Sequence, residues 1–162
     1  MIIRNIRESD WPEIKAIFED GIKTGDATLE TSPPEWNAWN DAHLEFGRIL
    51  SEENGVVTGW AALIPVSRRK AYEGVAEESI YIREGFRSKG TGSLLMQELI
   101  KICEESGIWT IQAVILRENT GSILFHERHG FRTVGYREKI GKQGSVWRDT
   151  VLMERRSEIN GK

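Results

Sequence analysis

The chain has 162 residues, 22 Lys and Arg against 25 Asp and Glu, and a formal net charge of -3. That length suits one domain spanning residues 1–162 with a core that needs no cross-links, and so balanced a charge draws the chain neither to nucleic acid nor to an anionic membrane, so a small-molecule partner is expected. Cys103 has no second cysteine to pair with, Met1-Ile2-Ile3-Arg4 opens no secretory apolar run, and no stretch approaches the roughly 20 apolar residues of a membrane span, which together give a cytoplasmic expectation.

Ile2 to Ile6 reads as a short strand, and Asp10 with Glu13 predicts a capping-box start to a helix carrying Ile14, Ile17, Phe18 and Ile22 on one face. Thr24 to Thr31 is a polar loop able to reach a pocket. Ser32-Pro33-Pro34-Glu35 then predicts a cap and prolines before a helix with Trp36, Trp39 and Phe46. Arg48 to Glu53 and Val56 to Ile64 flank Asn54-Gly55, a two-residue hairpin signal. Pro65 ends the second strand, and Ser67-Arg68-Arg69-Lys70 leads into a strand over Val75 to Ile82. Gly92 to Ser106 predicts a helix burying Leu95, Leu99 and Ile102 beside Met96, Ile100 and Cys103, with Gly107 as its left-handed cap. A strand over Trp109 to Leu116 follows, and then a helix over Asn119 to His129 stopped by Gly130. Closing strands over Phe131 to Lys139 and Val146 to Glu154 surround a Gly141-Lys142-Gln143-Gly144 turn. One mixed sheet flanked by helices buries the apolar faces of these elements.

Arg87-Ser88-Lys89-Gly90-Thr91-Gly92 sits where a strand ends and a helix begins, so its N–H groups include the unpaired donors of a first helical turn. Helix polarity favours an anion there, and Gly90 and Gly92 let a diphosphate approach the main chain without a Cβ in the way. A tight turn alone would call for the same glycines. The run is neither a P-loop, which needs Gly-x-x-x-x-Gly-Lys-Ser/Thr, nor a Rossmann fingerprint with its third glycine.

Arg87-x-x-Gly90-x-Gly92 after an alternating strand, followed by Asn119 and by Gly130-Phe131, is similar to the motifs of the GNAT superfamily of acetyl-CoA-dependent N-acetyltransferases. Within it, Ala76-Glu77-Glu78-Ser79-Ile80-Tyr81-Ile82, Leu124-Phe125-His126-Glu127 and Trp147-Arg148-Asp149 resemble the phosphinothricin and methionine-sulfoximine N-acetyltransferases over essentially the whole chain. The resemblance implies an α+β GNAT fold of α/β character: a mixed, mostly antiparallel sheet flanked by helices, with splayed strands forming the acetyl-CoA cleft. It further implies that the backbone of Ile80, Tyr81 and Ile82 pairs with pantetheine, that Arg87, Ser88, Lys89, Gly90, Thr91, Gly92 and Ser93 hold pyrophosphate, and that Asn119 bonds the cofactor. An N–H near Ile80 polarises the thioester carbonyl.

Acetyl transfer needs a neutral amine, and an α-amine with a pKa of about 8 is roughly one-tenth neutral at pH 7, so the base is asked for little beyond removing a proton. The resemblance assigns that task to Glu77. Because successive strand residues face opposite ways, Glu78 is expected outside the cleft. His126 stands where the resembling enzymes carry a histidine and is assigned protonation of the departing thiolate. His126 and His129 lack partners at ligand spacing, so no metal is expected, and Cys103 on an apolar stripe points to direct attack in a ternary complex rather than an acyl-enzyme.

The resemblance also places Arg68, Arg69, Lys70 and Tyr72 near an amino-acid substrate, where a guanidinium suits its carboxylate. Leu29 stands where the family often has an aromatic residue over the pocket. Gly144-Ser145-Val146-Trp147 is one residue longer than the family's Gly-x-Trp-x-Asp. The expected substrate is the α-amine of a small amino acid or analogue, such as phosphinothricin, methionine sulfoximine or methionine sulfone. A protein N-terminus, lysine or polyamine acceptor, and a non-catalytic acyl-CoA sensor, are the alternatives. The resembling enzymes are homodimers, and six Trp are compatible with an aromatic interface.

Overall fold

In the computed structural model, which describes residues 1–162, the chain runs β1 (Ile2–Asn5), α1 (Trp11–Lys23), α2 (Trp36–Ala42), β2 (Ile49–Glu53), β3 (Val56–Pro65), β4 (Val75–Ile82), α3 (Thr91–Glu105), β5 (Thr110–Leu116), α4 (Thr120–Arg128), β6 (Arg132–Gln143) and β7 (Val146–Arg156). The seven strands form one sheet in the order β1-β2-β3-β4-β5-β7-β6. This is the mixed, mostly antiparallel sheet flanked by helices that the resemblance implies.

Helices on both faces explain the burial of the central strands. β3 is buried without a break from Val57 to Leu63. Its Trp60 and Ala62 pack with Trp11, Ile14, Ile17, Phe18 and Trp39 of α1 and α2, while Ala61 and Leu63 pack with Leu95, Met96 and Leu99 of α3. A strand covered on both faces has no polar side to alternate with. The apolar stripe of α3 is therefore the floor of one core, and α1 with the Trp-rich α2 roofs the other.

Only β4 and β5 run parallel, and their pairing stops after Val75↔Thr110, Ala76↔Ile111 and Glu77↔Gln112. Beyond that point β4 stays paired with β3 as far as Ile82, and β5 stays paired with β7 as far as Leu116. The two strands are held by opposite neighbours, and a gap opens between them.

Several local expectations are corrected. The Asp10 carboxylate does not cap α1. It accepts from the Arg7 N–H at 2.8 Å and from the Arg4 guanidinium at 2.8 and 2.9 Å, and Pro12 occupies the first turn. α2 begins after Glu35 rather than at a Ser32 cap, and it ends before Phe46. The closing hairpin turns at Gly144-Ser145, because Gly141, Lys142 and Gln143 pair with Arg148, Trp147 and Val146, and the register shifts between Arg137 and Gly141. Four of the tryptophans, Trp11, Trp36, Trp39 and Trp60, form one internal cluster with ring centroids 5.5 to 5.9 Å apart, so they are core rather than interface. No helix is long and apolar enough to cross a membrane.

Candidate active site

The gap between β4 and β5 continues into a cavity of about 230 Å³ lined by Ala27, Thr28 and Leu29, by Glu77 to Tyr81, by Val114 to Leu116, and by Asn119, Ser122, His126 and Thr150. Backbone alternation decides what β4 presents to it. Gly74 accepts hydrogen bonds on the β5 side, from Trp109 and Thr110, whereas Val75 accepts from Val66 and Arg83 donates to Thr58 on the β3 side. Counting by twos, the N–H and C=O of Ile80 and Ile82 point away from β3 into the gap, where β5 no longer reaches them. An extended amide-bearing chain laid there would complete the ladder. An oxyanion beside Ile80 would meet a backbone donor.

A second cavity of about 660 Å³ adjoins the first and is lined by Ile80 to Ile82, Arg87, Ser88, Gly90, Gly92, Ser93 and Phe125, among others. The N–H groups of residues 88 to 93 donate to nothing in the chain, and the first bond of the turn is Leu94 N–H to Gly90 O at 3.1 Å. Six consecutive free donors at a helix start make an anion cradle. Gly90 sits at φ +87 with open space around it, so backbone conformation requires the glycine. Gly92 also lines this cavity, and a Cβ there would lie 3.3 Å from the Phe125 ring, so the residue brings α3 close to α4 as well. Lys89 lies outside the cavity wall with its Nζ 5.4 Å from the centroid of the Phe86 ring, and the Thr91 hydroxyl is buried without a partner, so only the N–H of Thr91 belongs to the cradle.

Glu77 and Glu78 do face opposite ways, yet both border the small cavity. Where two strands part, the opening runs through the sheet and touches both faces. Glu77 is half-buried and accepts from Gln112 Nε2 at 2.9 Å. Burial pushes its carboxyl above the ordinary glutamate range, with the Glu78 charge adding to the rise and Gln112 and Arg137 opposing it. A carboxylate disfavoured by its surroundings is a stronger proton acceptor.

His126 is 1% exposed. Its Nδ1 donates to Ser122 O at 2.7 Å, and its Nε2 lies 2.8 Å from Glu78 Oε1. A carbonyl can only accept, so the proton on Nδ1 is required there, and a second proton must stand between Nε2 and the carboxylate. The result is a buried His126–Glu78 pair that shares one proton. Burial opposes the charged ring, but the Glu78 hydrogen bond and charge outweigh it and raise the His126 pKa. Both ring nitrogens therefore have protein partners, although the residue also borders the small cavity.

The roof over the cavity is the loop between α1 and α2, and polar straps hold it. Arg148 donates to Gly25 O at 2.9 Å and to Asp26 Oδ1 at 3.1 Å, and Gln143 donates to Thr28 O at 2.9 Å. Asn119 donates to Asp26 O at 3.1 Å while its Oδ1 caps α4 through Ser122 N–H at 3.1 Å, which fixes its amide where the two cavities meet, with a second N–H still free. Leu29 lies against Gly141 and lines the cavity. By contrast Arg68, Arg69, Lys70 and Tyr72 line neither cavity; they sit exposed on the β3–β4 connection, with Arg69 5.3 Å over the Tyr72 ring. Gln112, Arg137, Gln143 and Arg148 were missed by sequence reasoning. Only the Trp147-Arg148-Asp149 match hinted at any of them, since contacts across strands leave no local signal. Cys103 lies in the core, and burial pushes its thiol up to about 12, which removes it as a nucleophile.

Residues 3–131 match the model of the acetyltransferase (GNAT) family. The chain is 33% identical over 162 residues to a phosphinothricin N-acetyltransferase of Alcaligenes faecalis, covering 94% of this chain and 81% of that one. It is 30% identical over 158 residues to an L-methionine sulfoximine/L-methionine sulfone acetyltransferase of Pseudomonas paraeruginosa, covering 94% and 92% of the two chains. Among solved structures, a phosphinothricin acetyltransferase from Sinorhizobium meliloti in complex with acetyl-CoA superposes with a TM-score of 0.85 at 29% identity, over 96% of this chain and 87% of that one.

Proposed function

The chain belongs to the acetyltransferase (GNAT) family, and from that premise we propose that it moves the acetyl group of acetyl-CoA onto the α-amine of a small amino acid or analogue such as phosphinothricin, methionine sulfoximine or methionine sulfone. The observation that carries this reading is the half-buried Glu77 facing a small cavity beside the open backbone edge of Ile80.

The free N–H groups of residues 88 to 93 hold the pyrophosphate of acetyl-CoA, and Ile80 and Ile82 pair with its pantetheine amides. The amine nitrogen attacks the thioester carbonyl, with the Ile80 N–H on the developing oxyanion. Glu77 takes the amine's proton, the C–N bond forms, the C–S bond breaks, and the thiolate takes a proton from water. No acyl-enzyme intervenes. Residues 1–162 act as one domain, and a homodimer fits the exposed apolar side chains Val134, Ile140, Val146 and Trp147 on the last two strands.

Gly90→Ala is expected to raise the Kd for acetyl-CoA about tenfold, since a Cβ at positive φ costs about 1–2 kcal/mol and turns the cradle's N–H groups. Calorimetric titration checks it, with the acceptor KM unchanged. The reading as a whole is tested by thiol release from acetyl-CoA with phosphinothricin, methionine sulfoximine, methionine sulfone, the common amino acids and spermidine. Saturable turnover on the sulfone or phosphinate compounds supports it. Silence across the panel with acetyl-CoA still bound replaces it with a macromolecular acceptor or a sensor.

A further inference from the structure

The pairing of β6 with β7 is irregular between Arg137 and Gly141. Lys139 turns there at φ +47, and its N–H donates to Asp149 Oδ1 at 2.7 Å, which ties the irregular stretch to β7. Beyond it the tip of the hairpin meets the roof loop at three points. Gln143 donates to Gly25 O at 3.0 Å and to Thr28 O at 2.9 Å, Arg148 donates to Gly25 O and Asp26 Oδ1, and Gly141 lies against the Leu29 side chain. Gly141 and Arg148 are cross-strand partners, so both belong to the face of the hairpin that the loop covers.

The backbone of Gly141 does not demand a glycine, because its φ is not positive. The residue supplies space. A Cβ here would lie 2.6 Å from Leu29 Cδ1, closer than two carbons can approach, and the three atoms nearest to that Cβ all belong to Leu29. Leu29 also lines the small cavity, together with Glu77 and Ile80, whereas Gly141 stands outside its wall. The main chain just before Leu29 is bonded to the hairpin through Thr28 O and Gly25 O, so it is not free to lift with a displaced side chain. The open space left to the methyl is the cavity. At about 230 Å³ that cavity is small enough for one shifted methyl to take room from the side chain of an acceptor.

We propose that Gly141 is a positioning residue for the choice of acceptor: from the closing hairpin it lets Leu29 lie back against β6, and so sets how long an acceptor side chain the cavity admits. The inference rests on the amino-acid reading above and adds to it the residue that fixes the size limit.

The test follows kcat/KM at saturating acetyl-CoA along glycine, alanine, α-aminobutyrate, methionine sulfone and phosphinothricin, for the wild type, Gly141→Ala, Leu29→Ala and the double variant. Gly141→Ala is expected to lower kcat/KM for the longest acceptors used by about 10- to 100-fold, the range that one methylene commands in a fitted pocket, while the shortest acceptor used and the KM for acetyl-CoA change less than about threefold. Leu29→Ala removes the obstructing methyl, so adding Gly141→Ala to it leaves the Leu29→Ala profile unchanged. A uniform fall along the series, which a loosened fold alone would give, overturns the assignment. So does no fall at all, or an effect of Gly141→Ala that persists in Leu29→Ala; each of these leaves acetyl transfer to amino acids intact. A wild type that binds acetyl-CoA but acetylates none of the series removes the acceptor reading and this inference with it. Should Gly141→Ala alone not fold, a folded double variant with the Leu29→Ala profile supports the contact, and failure of both variants to fold overturns it.

Discussion

Glu77→Gln is expected to lower kcat/KM for the amine acceptor by about 10²- to 10⁴-fold, the usual contribution of a positioned base, while acetyl-CoA binds as before. The amide keeps the shape of the side chain and a partner for Gln112, so the loss reports proton transfer rather than architecture. The pH dependence carries a sign. Burial raises the Glu77 carboxyl, and Gln112 and Arg137 only partly offset it. As pH falls through that raised value the carboxylate is protonated and the base is lost, so the acid limb of kcat/KM lies above the ordinary glutamate range. In Glu77→Gln that limb disappears. A variant with the wild-type rate and the same limb would remove Glu77 from the chemistry.

His126→Ala should act mainly on stability. It leaves Glu78, 7% exposed and already holding an unpartnered Oε2, as a buried charge with nothing to balance it. Removing one member of a buried pair costs about 3–5 kcal/mol, which in a domain of this size lowers Tm by roughly 10 °C. The loss depends on pH. His126 has its folded pKa raised, so its contribution is fully present below the unfolded histidine value and fades as pH rises through the folded value. Thermal unfolding of wild type and variant across that window should therefore converge toward the alkaline side. Acetyl transfer measured well below the unfolding temperature should fall far less than in Glu77→Gln, because no free nitrogen of His126 faces the reacting atoms. A loss of rate without a loss of stability would return His126 to the role its position in the motif suggests.

These two residues show why a motif match and a physical role can part. Glu77 and His126 were both legible from their neighbours in the chain. What distinguishes them is the partner each meets: Gln112 leaves Glu77 one oxygen toward the cavity, whereas Ser122 and Glu78 consume both nitrogens of His126. The glycines divide in the same way. Gly90 answers to its own dihedral angle and Gly92 to the Phe125 ring on α4, which lies 33 positions further on by residue number (125 − 92). The Arg68-Arg69-Lys70 run is legible because its charge is local, but where those side chains stand relative to the cavities is set by the fold.

The sequence by itself determined the order of strands and helices, the apolar stripes, the Asn54-Gly55 hairpin and the free donors at the start of α3, since each follows from dihedral preference, periodicity or unpaired groups within a few residues. Tertiary structure alone decided which polar side chains meet. Gln112 reaches Glu77, Glu78 closes on His126, and Arg148 straps the roof, because these depend on how far β5 is drawn from β4 by its pairing with β7. That separation is set by strand pairing between segments distant in the chain, and no local propensity encodes it.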